Sequence, residues 1–209
     1  MHPQSTNSIA DNNLINIMTL LKENTSVAHK QLEKSPCFKR LFTNDYKTSE
    51  YADLLSYFYG YYAAIEPLLF NDLPTEHLSD LQHRTKTHLL QQDLTLLSVN
   101  TDSLPLCKAI PNLATFAQKM GVLYVLEGSL LGGRVIGQHL KEHFGADVTL
   151  PLNFYSGYGA DLHLQWQKFS QFMGQYFNHQ DKAVIDEVLN SANATFFALQ
   201  QWVESQHTD

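Results

Sequence analysis

Hydrophobic positions recur at three- and four-residue intervals along most of the chain, the rhythm of helices that turn one face inward. From Leu14 to about Lys34 the set Leu14, Ile17, Met18, Leu21, Ala28 and Leu32 keeps this rhythm, and "SPCF" marks its end. A second segment, from about Ser49 to Phe70, turns Tyr51, Leu54, Leu55, Phe58, Tyr62 and Ile65 inward, with Pro67 expected to kink or end it. A third runs from about Ser79 to Leu97. The longest stretches from an Asn112 cap to a Gly145 stop, about 33 residues and roughly 50 Å if straight. Two more span about Asp161 to Phe177 and about Asp181 to Glu204, and the aromatic, glycine-rich "PLNFYSGYGAD" before them reads as a loop. No alternation of period two persists and no internal repeat stands out. The pattern predicts an all-α class, a multi-helical single domain over 14–209 behind a polar tail at 1–13.

Composition narrows the function classes. A net charge of -7 and a pI near 5.7, with no basic run, disfavour nucleic acid and anionic membranes as partners. The N-terminus lacks the basic start and apolar core of a signal peptide, and no apolar run reaches the roughly 18 residues of a membrane span. The two cysteines, Cys37 and Cys107, are too few for a disulfide scaffold and form no CxxC, which points to a reducing cytoplasm.

Within the longest helix, "YVLEGSLLGGRVIGQHL" carries Gly128, Gly132, Gly133 and Gly137. Each glycine inside a helix loses about 1 kcal/mol relative to alanine, so together they lose on the order of 3 to 4 kcal/mol. Gly128 and Gly132, four apart, share one face. Either a neighbouring helix approaches closely there, or a flat ligand lies on bare backbone. Alanine already permits fairly close packing, so clustering of glycine favours a surface where even a methyl group is unwelcome.

His29 lies on or near the apolar face of the first long helix, with Glu33 one turn later. It is either a satisfied core residue or a metal ligand whose second ring nitrogen faces a carboxylate. Lys22, seven residues earlier, lies on the same side about 10 Å away. His139 and His143 have the i, i+4 spacing of a zinc clamp, but helix-dipole complementarity at a helix C-terminus explains them equally well. No HExxH, CxxC pair or repeated ExxH occurs.

Taken together, "GVLYVLEGSLLGGRVIGQHL", "LLKENTSVAHKQLEKSP", "YFYGYYAAIEPLL" and "LNFYSGYGADLHLQWQKF" resemble the haem oxygenase family, in particular its bacterial biliverdin-producing branch associated with bacteriophytochromes. The resemblance runs from about residue 14 to 204. It implies haem held between a proximal helix and a kinked distal helix, with haem as both cofactor and substrate. The implied activity is oxidative cleavage to biliverdin, the α isomer in this branch, with carbon monoxide and ferrous iron. It also implies O2 and electrons from a separate ferredoxin or flavin reductase, and a bacteriophytochrome as one recipient of biliverdin.

Carried over by position, His29 is the proximal iron ligand, Glu33 its second-shell partner, and Gly128 and Gly132 the distal contacts, leaving backbone against the haem face. Tyr124 and Gly133 belong to the implied pocket, and Lys22 matches a propionate-binding lysine. Ser129 stands where mammalian-type members have a distal aspartate, so a distal water network must be held differently. The later basic clamp has no clear match; Lys168 and Arg134 are its candidates. Two alternatives remain at this point: a non-catalytic haem carrier or sensor, and a relative on the same scaffold acting on a thiamine-like or quinone-precursor substrate.

Overall fold

The computed structural model describes residues 16–73, 84–145 and 148–207. Their regular structure is helical, and no strand occurs among them. The predicted tail lies outside them, as does the start of the third predicted helix.

Helix α1 (Ile17–Glu33) opens on Asn16, whose side chain accepts the Thr19 amide at 3.1 Å. A short α2 (Pro36–Arg40) follows where the sequence read only a stop; Pro36 at its start suits the first turn of a helix. In α3 (Thr48–Leu69), Pro67 sits inside the last turn, and the helix ends two residues beyond it. The guanidinium of Arg40 joins α2 to α3 through Glu50 at 2.5 Å.

The N-terminus of α4 (Thr87–Leu96) is capped across the fold. The Glu66 carboxylate of α3 accepts the Lys86 amide at 2.5 Å and the Thr87 amide at 3.1 Å. Asp93 of α4 does the same for α6 (Asn153–Ser156), accepting the Asn153 and Phe154 amides at 2.9 and 2.8 Å. The predicted loop at 151–161 therefore contains a helical turn, nucleated by a carboxylate 60 residues away in sequence.

The long helix α5 (Phe116–Phe144) starts at Thr115, in a capping box with Gln118, rather than at Asn112. It runs through the glycine cluster as one helix and stops at Gly145, whose φ of 74° suits glycine. α7 (Leu162–Phe177) and α8 (Lys182–Gln206) complete the chain.

α8 is the central support, packing extensively on both α5 and α1, while α1 and α5 make little direct contact with each other. Gly121 makes the closest of these seams possible: a Cβ there would stand 2.4 Å from the Val188 carbonyl of α8. α5 is long and apolar enough to cross a membrane, but it is a core helix, more than half buried over its most apolar stretch.

Both cysteines are buried free thiols. Burial pushes the Cys37 thiol up to about 11 and that of Cys107 upward as well. Native protein at pH 8 is therefore expected to alkylate slowly with iodoacetamide and rapidly once unfolded, as mass spectrometry would read. Fast native labelling of Cys37 would contradict the burial.

Candidate functional site

The four clustered glycines of α5 divide into two pairs by what faces them. A Cβ on Gly133 would stand 3.2 Å from the Tyr155 ring, and one on Gly137 would stand 3.3 Å from Tyr155 Cβ. These two are buried packing glycines that admit Tyr155 of α6. Gly128 and Gly132 differ: a Cβ on Gly128 would make only ordinary contact with Trp166, and one on Gly132 would meet nothing within 4 Å. No neighbour among the described residues requires glycine at these two positions. The close-packing reading of the cluster thus holds for Gly133 and Gly137, and no described neighbour accounts for glycine at the other two.

Tyr124 lies one turn before Gly128 on the same face. Its ring meets Trp166 of α7 at a centroid separation of 5.8 Å, and its hydroxyl reaches Thr25 of α1. Burial raises its pKa, an effect that the Thr25 hydroxyl partly offsets. Here α1, α5 and α7 come together. One turn on from Thr25 along α1 stands His29, and one and two turns on from Tyr124 stand Gly128 and Gly132.

His29 is a half-exposed side chain, at 55%, and not a core histidine. Its ring stands edge-on to Phe196 of α8 at 5.5 Å. Nδ1 lies 3.6 Å from Glu33 Oε1, and Nε2 has no hydrogen-bond partner among the described residues. Lys22 shares this side of α1 and is exposed, with no ion-pair partner among the described residues.

Ser129 donates its hydroxyl to the Leu126 carbonyl at 2.8 Å. Its Oγ also lies 3.1 Å from the Tyr62 hydroxyl. Having spent its one proton on Leu126, it accepts from Tyr62. Burial pushes the Tyr62 phenol up and keeps it protonated, with Ser129 opposing that rise only in part. Tyr62 was legible only as an inward-facing residue of α3.

The remaining basic candidates stand elsewhere. Lys168 is exposed, two residues from Trp166 and so on the far side of α7 from the glycine face. Arg134 is exposed, six residues beyond Gly128 and likewise turned away from it. On α1, Lys22, His29 and Glu33 share one side; on α5, Tyr124, Gly128 and Gly132 share another, while Ser129, four residues before Gly133, lies on the adjacent side with it, and Lys168 and Arg134 point elsewhere. His139 and His143 bond through Nε2 to the Leu41 and Tyr46 carbonyls at 3.2 and 3.0 Å, tying the end of α5 to the segment between α2 and α3.

Beside the glycine face, one residue earlier on α5, is a buried ionic cluster that the sequence did not announce. Glu127 of α5 is held by Arg84, by Lys86 Nζ at 3.2 Å and by the Tyr158 hydroxyl at 2.9 Å. Arg84, Lys86 and Glu127 are each no more than 3% exposed. Burial lowers the pKa of Lys86, and the nearby Glu127 carboxylate offsets part of that shift.

Comparison with known proteins gives one consistent result. The family model described as heme oxygenase matches residues 15–205. A heme oxygenase from Xanthomonas campestris pv. campestris (strain 8004) is 37% identical over 147 residues, covering 70% of this chain and 84% of that protein. The crystal structure of heme oxygenase-1 from the cyanobacterium Synechocystis sp. PCC6803 in complex with heme superposes with a TM-score of 0.73 at 18% identity, over 91% of this chain and 92% of that one. Heme oxygenase from Leptospira interrogans gives the same score and identity over 91% of this chain and 100% of that one.

Proposed function

The chain belongs to the haem oxygenase family and carries that family's haem-degrading activity, and on this premise we propose that haem lies between His29 of α1 and the Gly128–Gly132 face of α5. One observation carries the assignment: two helical glycines for which no tight contact among the described residues requires a missing side chain. The donor set fits the group. A planar macrocycle needs a bare surface on one side, a nitrogen ligand on the other and a cation for its carboxylates.

Bound haem supplies an iron that activates O2 against the macrocycle itself, making haem both cofactor and substrate. In this reading His29 ligates through Nε2, the nitrogen without a protein partner, while Glu33 orients the ring from the Nδ1 side. Lys22 attracts a propionate, and Tyr124 closes the end where α1 and α5 meet. Ser129, fixed by Tyr62 and Leu126, holds distal water by its hydroxyl in place of an aspartate. Tyr62 retains its proton and serves as a donor.

The finer assignments extend this proposal. Ser129 and the distal segment support the bacteriophytochrome-associated branch, and with it the α isomer and biliverdin delivery to a photoreceptor. The chain has no GxGxxG motif, so electrons come from a separate ferredoxin or flavin reductase. Two buried free thiols suit a reducing cytoplasm.

The test is an absorbance time course of purified protein with hemin, then ascorbate or a ferredoxin reductase system in air, with catalase present. Loss of the Soret band with growth of a biliverdin spectrum is expected. A stable Soret band identifies a carrier, and no Soret shift refutes the haem site.

A companion variant separates function from stability. Gly132→Leu adds a side chain into open space and relieves a helix of glycine, so it should raise stability by up to about 1 kcal/mol. It should also abolish hemin binding. Normal turnover by this variant would refute the distal assignment.

A further inference from the structure

Gly128 and Gly132 share a face, yet their surroundings give that face a direction. A Cβ on Gly128 would lie 3.6 Å from Cη2 and 3.7 Å from Cζ3 of Trp166, whereas Gly132 looks onto open space. The bare strip is walled at one end by the edge of an indole and open at the other. Building on the haem reading above, we propose that Trp166 fixes how the macrocycle is turned within its own plane, and therefore which meso carbon is cleaved.

A histidine holding the iron on one side and a bare backbone face on the other would set the height and tilt of a porphyrin. They leave rotation about the iron–nitrogen axis almost free, because the macrocycle core is close to fourfold symmetric. Only contacts at the rim resist that rotation. Lys22, exposed on a flexible stem, draws a propionate to one side, and a second, rigid contact at the rim is what narrows the angle further.

Trp166 is rigid by contrast. Its ring packs on Phe169 and on Tyr124, each at 5.8 Å, and the residue is only partly exposed. The residues just before Gly128 and Trp166 are both tied, through their side chains, to one guanidinium. Arg84 bonds the carboxylate of Glu127, the residue before Gly128, and reaches the side-chain oxygen of Gln165, the residue before Trp166, at 3.4 Å. The position of the wall relative to the floor is thus fixed from within the core.

The test compares the wild-type chain with Trp166→Ala in two measurements. Proton NMR of the ferric cyanide complexes counts the sets of haem-methyl resonances, and chromatography separates the biliverdin isomers formed on turnover. Trp166→Ala should bind hemin with an unchanged Soret maximum, since His29 is untouched, and show a second set of haem methyls. The minor isomers should rise about tenfold relative to the major one, the ratio set by a rotational preference of about 1.4 kcal/mol.

Bound hemin with one methyl set and an unaltered isomer ratio overturns the proposal. Failure of the wild-type chain to shift the Soret band overturns the haem reading, and this inference with it, so the two failures appear in different spectra. If Trp166→Ala does not fold, Trp166→Phe decides: it keeps a ring on Phe169 but withdraws the edge. A rise of about threefold in the minor isomers then supports the proposal, and an unchanged ratio overturns it.

Discussion

Replacing His29 with alanine is expected to abolish biliverdin formation while leaving the fold intact. The imidazole contributes little packing beyond one edge-on contact with Phe196, and more than half of it is exposed. Substitutions at such positions usually change stability by no more than about 0.5 kcal/mol. Activity should behave otherwise. Disturbing an outer-shell partner of a metal typically costs about 10–100-fold, so deleting the proposed ligand should cost at least about 100-fold. Imidazole added to solution should restore part of the ferric spectrum, because the position is open enough to admit a small ring. Hemin turnover at wild-type rates, with an unaltered Soret maximum, would remove His29 from the iron.

Glu127→Leu should produce the largest loss of stability. Arg84 and Lys86 would remain in the core without the carboxylate that neutralises them, and breaking a buried pair in this way costs about 3–5 kcal/mol. For a chain of this size that corresponds to a fall in Tm of about 10 °C. Calorimetry checks the value, and the triple variant Glu127→Leu, Arg84→Met, Lys86→Met should recover most of it.

The pH dependence carries a definite sign. Burial already lowers the Lys86 pKa, and Glu127 opposes that shift, so the variant should lower it further. Between the native pKa and the usual lysine value, the unfolded chain holds a proton that the native state has shed, so stability rises with pH there. The destabilisation caused by Glu127→Leu should therefore shrink as the pH is raised toward that of free lysine. A deficit that stays constant with pH would mean that Lys86 is not the cation left uncompensated.

The helices were legible because a helix is a local event. The spacing of Leu21, Ala28 and Leu32, or of Leu54, Phe58 and Ile65, depends only on the helical repeat. Boundaries shifted where a side chain competed for the cap, as at Thr115, whose box with Gln118 displaced the expected Asn112. The 151–161 segment was read as a loop because nothing within it shows that Asp93, far away in sequence, would cap a helical turn there.

Sequence by itself determined the all-α class, the presence of one helix carrying His29 and another carrying the glycine cluster, and the family to which the chain belongs. These properties reside in residue type and spacing along single elements. Tertiary structure alone decided that Gly133 and Gly137 admit Tyr155 while no tight contact among the described residues requires glycine at Gly128 or Gly132. It also put Tyr62 behind Ser129, Trp166 beside Gly128, and two buried cations around Glu127. Each of these depends on which face of α5 meets which neighbour. That orientation is set by the packing of α8, α6 and α7 against α5, through contacts between residues tens of positions apart, and no local periodicity encodes it.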